Sequence, residues 1–389
     1  MKRVTMTILG LTLLTAGACA TDSDSTPPDA GSTTPDDGSG SGTNTQDKPE
    51  PTALDDRKVD YNEALRTASL KLTDSLPRLA DIIAVRDASD PKEAYEERLT
   101  AMLDDGRFNQ RMIRYWRDVL RQGGGALDSA PIFAARVLVE GRPFTDLLTA
   151  TDSTCPSYDA TSDSFVDGDC NNGVETHAGL LTNPGVMAQF YSNMAFRRVR
   201  WVQEIFACQS FPAEFRESST KVGEEKATYT SPWDFASVSA EPVDFRDTSS
   251  VVCANCHTSM NHLAPLFAQF DDAGMWQDSI QVETPLSPEP VPTELSHWLV
   301  DGEETAWRLG EPTANLPELG AAMATDPAVA ECLTARLYNF AMSKQDIVSE
   351  LATIPVAVLE PYVKALTESD GDLGYTLETI MKSEDFVRF

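Results

Sequence analysis

Apolar side chains recur every three to four positions over long parts of the chain, the spacing of helices that bury one stripe. Tyr95, Leu99, Met102 and Leu103 form one stripe. Phe108, Met112, Tyr115, Trp116, Val119 and Leu120 form a second, which the run Gly123-Gly124-Gly125 stops. Residues 184–208 predict a further helical stretch, with Pro184 near its start. Asp326-Pro327 reads as an N-cap with proline in the first turn. Val329, Leu333, Leu337, Phe340 and Ala341 then continue as one stripe. Residues 209–250 and 281–317 are rich in Pro, Ser, Thr and acids, and predict long irregular segments. There is no tandem repeat and no regular series of alternating strands, so the predicted fold class is mainly α. The aromatic and Met stripes are core positions.

The first residues carry a different pattern. Lys2 and Arg3 precede an apolar stretch, Val4 to Ala18, too short to span a bilayer. Residues 1–18 read as a secretory signal. Its end, Ala16-Gly17-Ala18-Cys19, resembles a bacterial lipobox, although Ala16 stands where Leu is commoner. Cleavage there would make Cys19 the lipidated residue and the membrane anchor. Residues 20–58 contain nine acids, five prolines and one Leu. Such a stretch cannot bury enough apolar area to offset its ordering, so 19–58 read as a disordered acidic tether behind the lipidated cysteine. A mainly helical body follows. Its expected parts are an N-terminal helical module (59–150), a loop-rich module (151–300) and a C-terminal helical module (301–389).

The chain has 389 residues, with 31 Lys+Arg against 61 Asp+Glu, a formal charge of −30. This balance excludes nucleic acid as a partner, because phosphate recognition needs a basic footprint. It favours basic protein partners. Against that background Arg197, Arg198 and Arg200 form a local basic patch. They are expected to pair with nearby surface acids, and haem propionates are the alternative partner.

Export places the cysteines in an oxidising compartment. With Cys19 assigned to lipid and Cys253 and Cys256 to a motif, four remain, which allows three connectivities. Cys155 and Cys170 bracket one polar loop, so the expected bridges are Cys155–Cys170 and Cys208–Cys332. Within that loop Asp167, Asp169, Asn171 and Asn172 crowd before Gly173. The spacing departs from a calcium-binding loop, and the cluster reads as an acidic surface turn.

The chemistry sits at Cys253-Ala254-Asn255-Cys256-His257. Cys-x-x-Cys-His is the attachment signature of c-type haem. Two thiols three residues apart can both form thioethers to the haem vinyls, and the adjacent histidine reaches the iron as an axial ligand. The expected cofactor is one covalent haem c held by Cys253, Cys256 and His257. The rivals are a dithiol redox site, whose βαβ context is missing, and zinc held by Cys253, Cys256, His257 and His262. The sixth iron ligand stays open. His297, Met275 and Met342 are candidates, with Met323 and His177 behind them. His262 and Met260 lie too close to His257 to reach the opposite haem face. A five-coordinate iron is a further alternative.

Several stretches resemble a family of exported cytochrome-c-like multi-module proteins of planctomycetes and myxobacteria, built from domains of unknown function. In CANCHTSMNHLAPLFAQFDDAGMW the residues Cys253, Cys256, His257, Met260, Phe270, Asp271, Gly274 and Trp276 are similar to its haem module. Asn261 and His262 stand where that family has Asp-Pro. HAGLLTNPGVMAQFYSNMAFRRVRWVQEIFACQSFP resembles a Gly-Leu-Leu-Thr segment ending in Cys. RLTAMLDDGRFNQRMIRYWRDVL and EGRPFTDLLTATDST resemble its N-terminal module, and DPAVAECLTARLYNFAM and TLETIMKSEDFVRF its C-terminal one. The resemblance implies a monohaem protein.

These readings predict an exported cell-envelope lipoprotein, at the outer membrane, that carries electrons to or from a basic redox partner protein. One alternative is a haem-dependent oxidoreductase of peroxidase or oxygenase type. The other is a non-redox surface binding lipoprotein with structural haem or zinc.

Overall fold

The computed structural model describes residues 56–210, 246, 251–283, 288–308 and 311–389; for 193 and 251–256 it describes the backbone alone. The signal peptide, the Cys19 lipid site and the tether up to residue 55 lie outside the described residues. So do residues 211–245 and 247–250 of the first predicted irregular segment and 284–287 and 309–310 of the second.

Among the described residues the chain is mainly helical. Helices α1 (Tyr61–Thr73), α2 (Leu79–Arg86), α3 (Pro91–Leu103), α4 (Gly106–Leu120) and α5 (Ser129–Val139) come first. Helix α6 (Asp146–Thr149) leads to strands β1 (Ser157–Asp159) and β2 (Ser164–Val166), an antiparallel pair with Ser157 opposite Val166. Helices α7 (Pro184–Gln189), α8 (Phe196–Phe206) and α9 (Val251–Phe267) follow. Strands β3 (Gln281–Val282) and β4 (Val291–Pro292) form a second short antiparallel pair. The chain ends in α10 (Leu316–Thr325), α11 (Pro327–Ala341), α12 (Val348–Leu351), α13 (Val356–Glu368), α14 (Leu373–Lys382) and α15 (Glu384–Val387).

Part of the acidic composition is spent on starting these helices. Asp60, Asp90, Asp105, Asp326 and Asp372 each accept backbone N–H groups at the first turn of α1, α3, α4, α11 and α14. A carboxylate there satisfies orphan donors and meets the positive end of the helix dipole. Pro91 and Pro327 sit just inside α3 and α11, where the missing N–H costs nothing. Helix α4 buries Phe108, Met112, Tyr115, Trp116, Val119 and Leu120. It ends on Arg121 in the left-handed region, ahead of the glycine run.

The first and last helices share one core. Helix α14 packs on α3, α5, α11 and α13, and the Tyr95 hydroxyl donates to the Met381 carbonyl at 2.8 Å. Val59 bridges Arg388, with reciprocal backbone bonds of 3.0 Å between Lys58 and Phe389. Buried side chains of α1 and α15 belong to the same apolar cluster.

The helical stretch expected over 184–208 is two helices. Between α7 and α8, Met194 and Ala195 both adopt left-handed backbone, with φ of 55° and 63°. Each such residue costs about 1–2 kcal/mol. Tertiary bonds hold the turn: Met194 N–H donates to the Glu283 carbonyl at 2.7 Å, and the Trp298 indole donates to the Met194 carbonyl at 3.1 Å. Both partners lie far along the chain, so apolar periodicity could not reveal the break.

Two disulfides close. Cys155–Cys170 pins the loop that carries β1 and β2, and Cys208–Cys332 ties the end of α8 to α11. Disulfides of this kind are sustained outside the reducing cytoplasm. Among the described residues no helix is long and apolar enough to cross a membrane.

Candidate functional site

Helix α9 packs on α8 and on the strained turn that precedes it. Cys253 and Cys256 fall on the N-terminal turns of α9, and their side chains lie outside the described residues. His257 follows. Its ring meets the Phe196 ring edge-on, with centroids 5.2 Å apart and planes at 84°. One helical turn further on, Asn261 is buried at 2% exposure and places Oδ1 3.2 Å from His257 Nδ1. Residues four apart share a helix face, so the sequence dictates this meeting once α9 forms. An amide oxygen can only accept. Nδ1 therefore carries the ring proton, and Nε2 is the nitrogen with the lone pair. Burial holds the His257 pKa below the ordinary histidine value, against a smaller opposite effect of the Asn261 bond. The imidazole is neutral at neutral pH, the state a metal requires.

The other end of α9 is fixed by Arg198. This arginine is 1% exposed. It donates to the carbonyls of Met187 at 2.6 and 3.0 Å, Phe267 at 2.8 Å, Phe270 at 2.9 Å and Asp271 at 3.0 Å. A cation at a helix C-terminus meets both orphan carbonyls and the negative end of the dipole. Desolvation lowers its pKa to about 10, so it stays charged at neutral pH. Beyond it, Asp271 Oδ1 accepts from the N–H groups of Ala273 and Met275, both at 2.9 Å, and closes a turn. Gly274, at φ +75°, lies so close to Pro184 that a Cβ would stand 2.3 Å from the Pro184 carbonyl oxygen. Asn172 clamps the same turn, donating to the Gly274 carbonyl at 3.1 Å and the Thr182 carbonyl at 3.0 Å. Phe270 and Trp276 pack edge to face at 5.2 Å. Phe270, Asp271, Gly274 and Trp276 thus build the turn after α9, which meets the start of α7 at Pro184.

The expectation of a surface arginine patch needs correction. Arg200 pairs with Glu204 at 2.7 Å, and Arg121 binds the same carboxylate. Glu204 is itself buried at 3% exposure. Arg197 is exposed. Arg198 is a buried clamp on backbone carbonyls, because a planar fork of five donors can satisfy several acceptors at once.

Each of the other candidate ligands has surroundings of its own. His297, in a short turn before Trp298, bonds Thr293 through Nδ1 at 2.5 Å. Met275 lies in the Asp271 turn and is 38% exposed. Met342 caps α11. Met323 is buried in α10, and His177 bonds Thr182 at 3.2 Å. His262 bonds the Thr258 carbonyl at 2.6 Å and lies 3.7 Å from Glu303. Five positions along α9 turn His262 about 140° from His257, which separates the two rings proposed for a zinc set. In the acidic loop, Asp167 pairs with Arg136 and bonds Ser153, while Asp169 accepts from the Ser153 N–H. Among the described residues no group of three or more His, Cys, Asp or Glu side chains gathers around a metal position.

Two residues here stand outside the site expected from the sequence. Asn261 carried a signal, because it stands four positions after His257. Met194 carried none. It becomes notable only because its turn packs on α9 and precedes Phe196.

Residues 173–280 match the family model PSCyt3, described as a protein of unknown function (DUF1588). The matched stretch runs from the residue after Asn172 through α7, α8 and α9 to the turn behind Trp276. No curated protein and no solved structure matches the chain.

Proposed function

We propose that this chain is an exported monohaem c-type cytochrome-like lipoprotein that takes part in electron transfer. The observation that carries the reading is the setting of His257. It follows Cys-x-x-Cys on one helix, and its Nδ1 is hydrogen-bonded to Asn261 Oδ1. Metal-ligating histidines bond the protein through one ring nitrogen and the metal through the other, and His257 has the first of these bonds. The donor set therefore fits haem c. Cys253 and Cys256 would hold the vinyl carbons and His257 the iron.

Bound haem would supply a one-electron ferric–ferrous couple. The chain's own residues orient the His257 imidazole through Asn261 and pack Phe196 against one side of it. Arg198 and the Asp271–Gly274 turn keep α9 from shifting. The charge of −30 would steer a basic redox partner toward the body. The cleaved signal, the lipid at Cys19 and the tether would place that body at the cell envelope, at the outer membrane.

The test is a pyridine haemochrome spectrum of protein produced with c-type maturation machinery, beside a Cys253→Ala/Cys256→Ala double variant. The expected result is a c-type spectrum in the parent that the variant loses, with a reversible one-electron titration. Parent protein that carries zinc, or no metal at all, would sink the redox reading.

A further inference from the structure

We infer that Asn261 is a positioning residue that sets the electron donation of His257 to the iron, and with it the reduction potential. The inference rests on the haem reading above.

Three observations carry it. First, donor and acceptor sit on the same face of one helix, four residues apart, so they move as a unit. Second, Asn261 is 2% exposed, and its neighbours Leu263, Ala264 and Phe267 are fully buried. In such surroundings a hydrogen bond is stronger than in water, and exchange of the amide for a water molecule is hindered. Third, Arg198 holds the helix end beyond Asn261 through the carbonyl of Phe267, and the turn after it through those of Phe270 and Asp271. The acceptor therefore keeps its place when the iron changes charge.

The chemistry follows from the acceptor type. The Nδ1–H bond pushes electron density toward Nε2 and stabilises the ferric state. A neutral amide does this moderately. A carboxylate in the same place would do it more strongly, through a charge-assisted bond. An apolar side chain would not do it at all. Asn261 thus holds the couple between two limits that single substitutions can reach.

The experiment compares the midpoint potentials of the full-length haem protein with those of Asn261→Asp and Asn261→Leu. It also follows exchange of the His257 Nδ1 proton in the ferrous state by nitrogen-resolved NMR. Asn261→Asp should lower the potential and Asn261→Leu should raise it. The Nδ1 proton should exchange faster in Asn261→Leu, which has no acceptor for it. All three proteins should keep c-type haem. A purely structural role would move both variants in the same direction, or leave both potentials at the parent value, and either result overturns the inference. If Asn261→Leu does not fold, the near-isosteric Asn261→Asp decides alone: an unchanged or raised potential overturns it. Parent protein without c-type haem overturns the haem reading as well, whereas haem present with unmoved potentials overturns only the role of Asn261.

Discussion

Arg198 donates to the Phe267 carbonyl at 2.8 Å, the last residue of the helix that bears the Cys-x-x-Cys-His motif. One guanidinium therefore fixes where the motif's helix ends, from another helix and without touching the motif. Stability and site geometry are coupled through it.

Arg198→Met should be strongly destabilising. It would leave the Met187, Phe267, Phe270 and Asp271 carbonyls without this donor, and each unmade buried bond costs about 1–3 kcal/mol. We expect a loss of about 3–5 kcal/mol in urea unfolding, in line with breaking other buried charged networks. A midpoint within experimental scatter of the parent would show that the clamp is dispensable.

Two glycines with positive φ should respond differently to alanine. Gly274 needs both its φ of +75° and the absence of a Cβ, because Pro184 backbone stands in the way. Gly302, at φ +90°, has nothing within 4 Å of the position a Cβ would take. Gly302→Ala should cost about 1 kcal/mol, the backbone penalty alone. Gly274→Ala should cost about 3 kcal/mol or more, because backbone must also move. Equal thermal shifts in the two variants would contradict the close approach to Pro184.

The two disulfides should contribute unequally. Cys208–Cys332 closes 124 residues of chain and Cys155–Cys170 closes 15. Loop-closure entropy predicts about 5 kcal/mol for the first and about 3 kcal/mol for the second. Arg336 also joins α11 to the end of α8, donating to the Ile205 carbonyl at 3.1 Å and the Glu204 carbonyl at 2.6 Å. The Cys208→Ser/Cys332→Ser protein should therefore fold, with the larger loss in guanidinium unfolding. A larger loss in Cys155→Ser/Cys170→Ser would refute the ranking.

Lys71 gives a pH dependence of known sign. Desolvation, and then the nearby Arg111, lower its pKa from 10.5 to about 8. Below pH 8 the lysine is charged both folded and unfolded, so the folded state bears the full burden. Between about pH 8 and 10.5 the unfolded chain binds the extra proton, so this group's contribution to stability rises with pH. Lys71→Met should raise stability at pH 7 and remove this rise. The slope of unfolding free energy against pH from 8 to 10 measures it, and an identical slope in both proteins would exclude Lys71 as its source.

The motif and much of the helical pattern were legible along the chain. The stripes from Phe108 to Leu120 and from Val329 to Ala341 are buried faces of α4 and α11, because a period of 3.6 is a local property of the backbone. Asp326-Pro327 is a true helix start for the same local reason. The Cys253–His257 spacing could be read at once, since three and four residues are one turn. Even Asn261 follows from His257 by counting.

What the sequence could not announce depends on groups far apart in the chain. Met194 and Ala195 tolerate left-handed backbone only because Glu283 and Trp298 hold that turn, about 90 and 104 positions away. Arg198 read as surface charge, because a run of arginines in an acidic protein suggests ion pairs. Its burial was decided by five carbonyl bonds from Met187, Phe267, Phe270 and Asp271, whose convergence exists only once α7, α8 and α9 have packed. Local geometry determined which atoms could be ligands. Tertiary packing determined how firmly they are held.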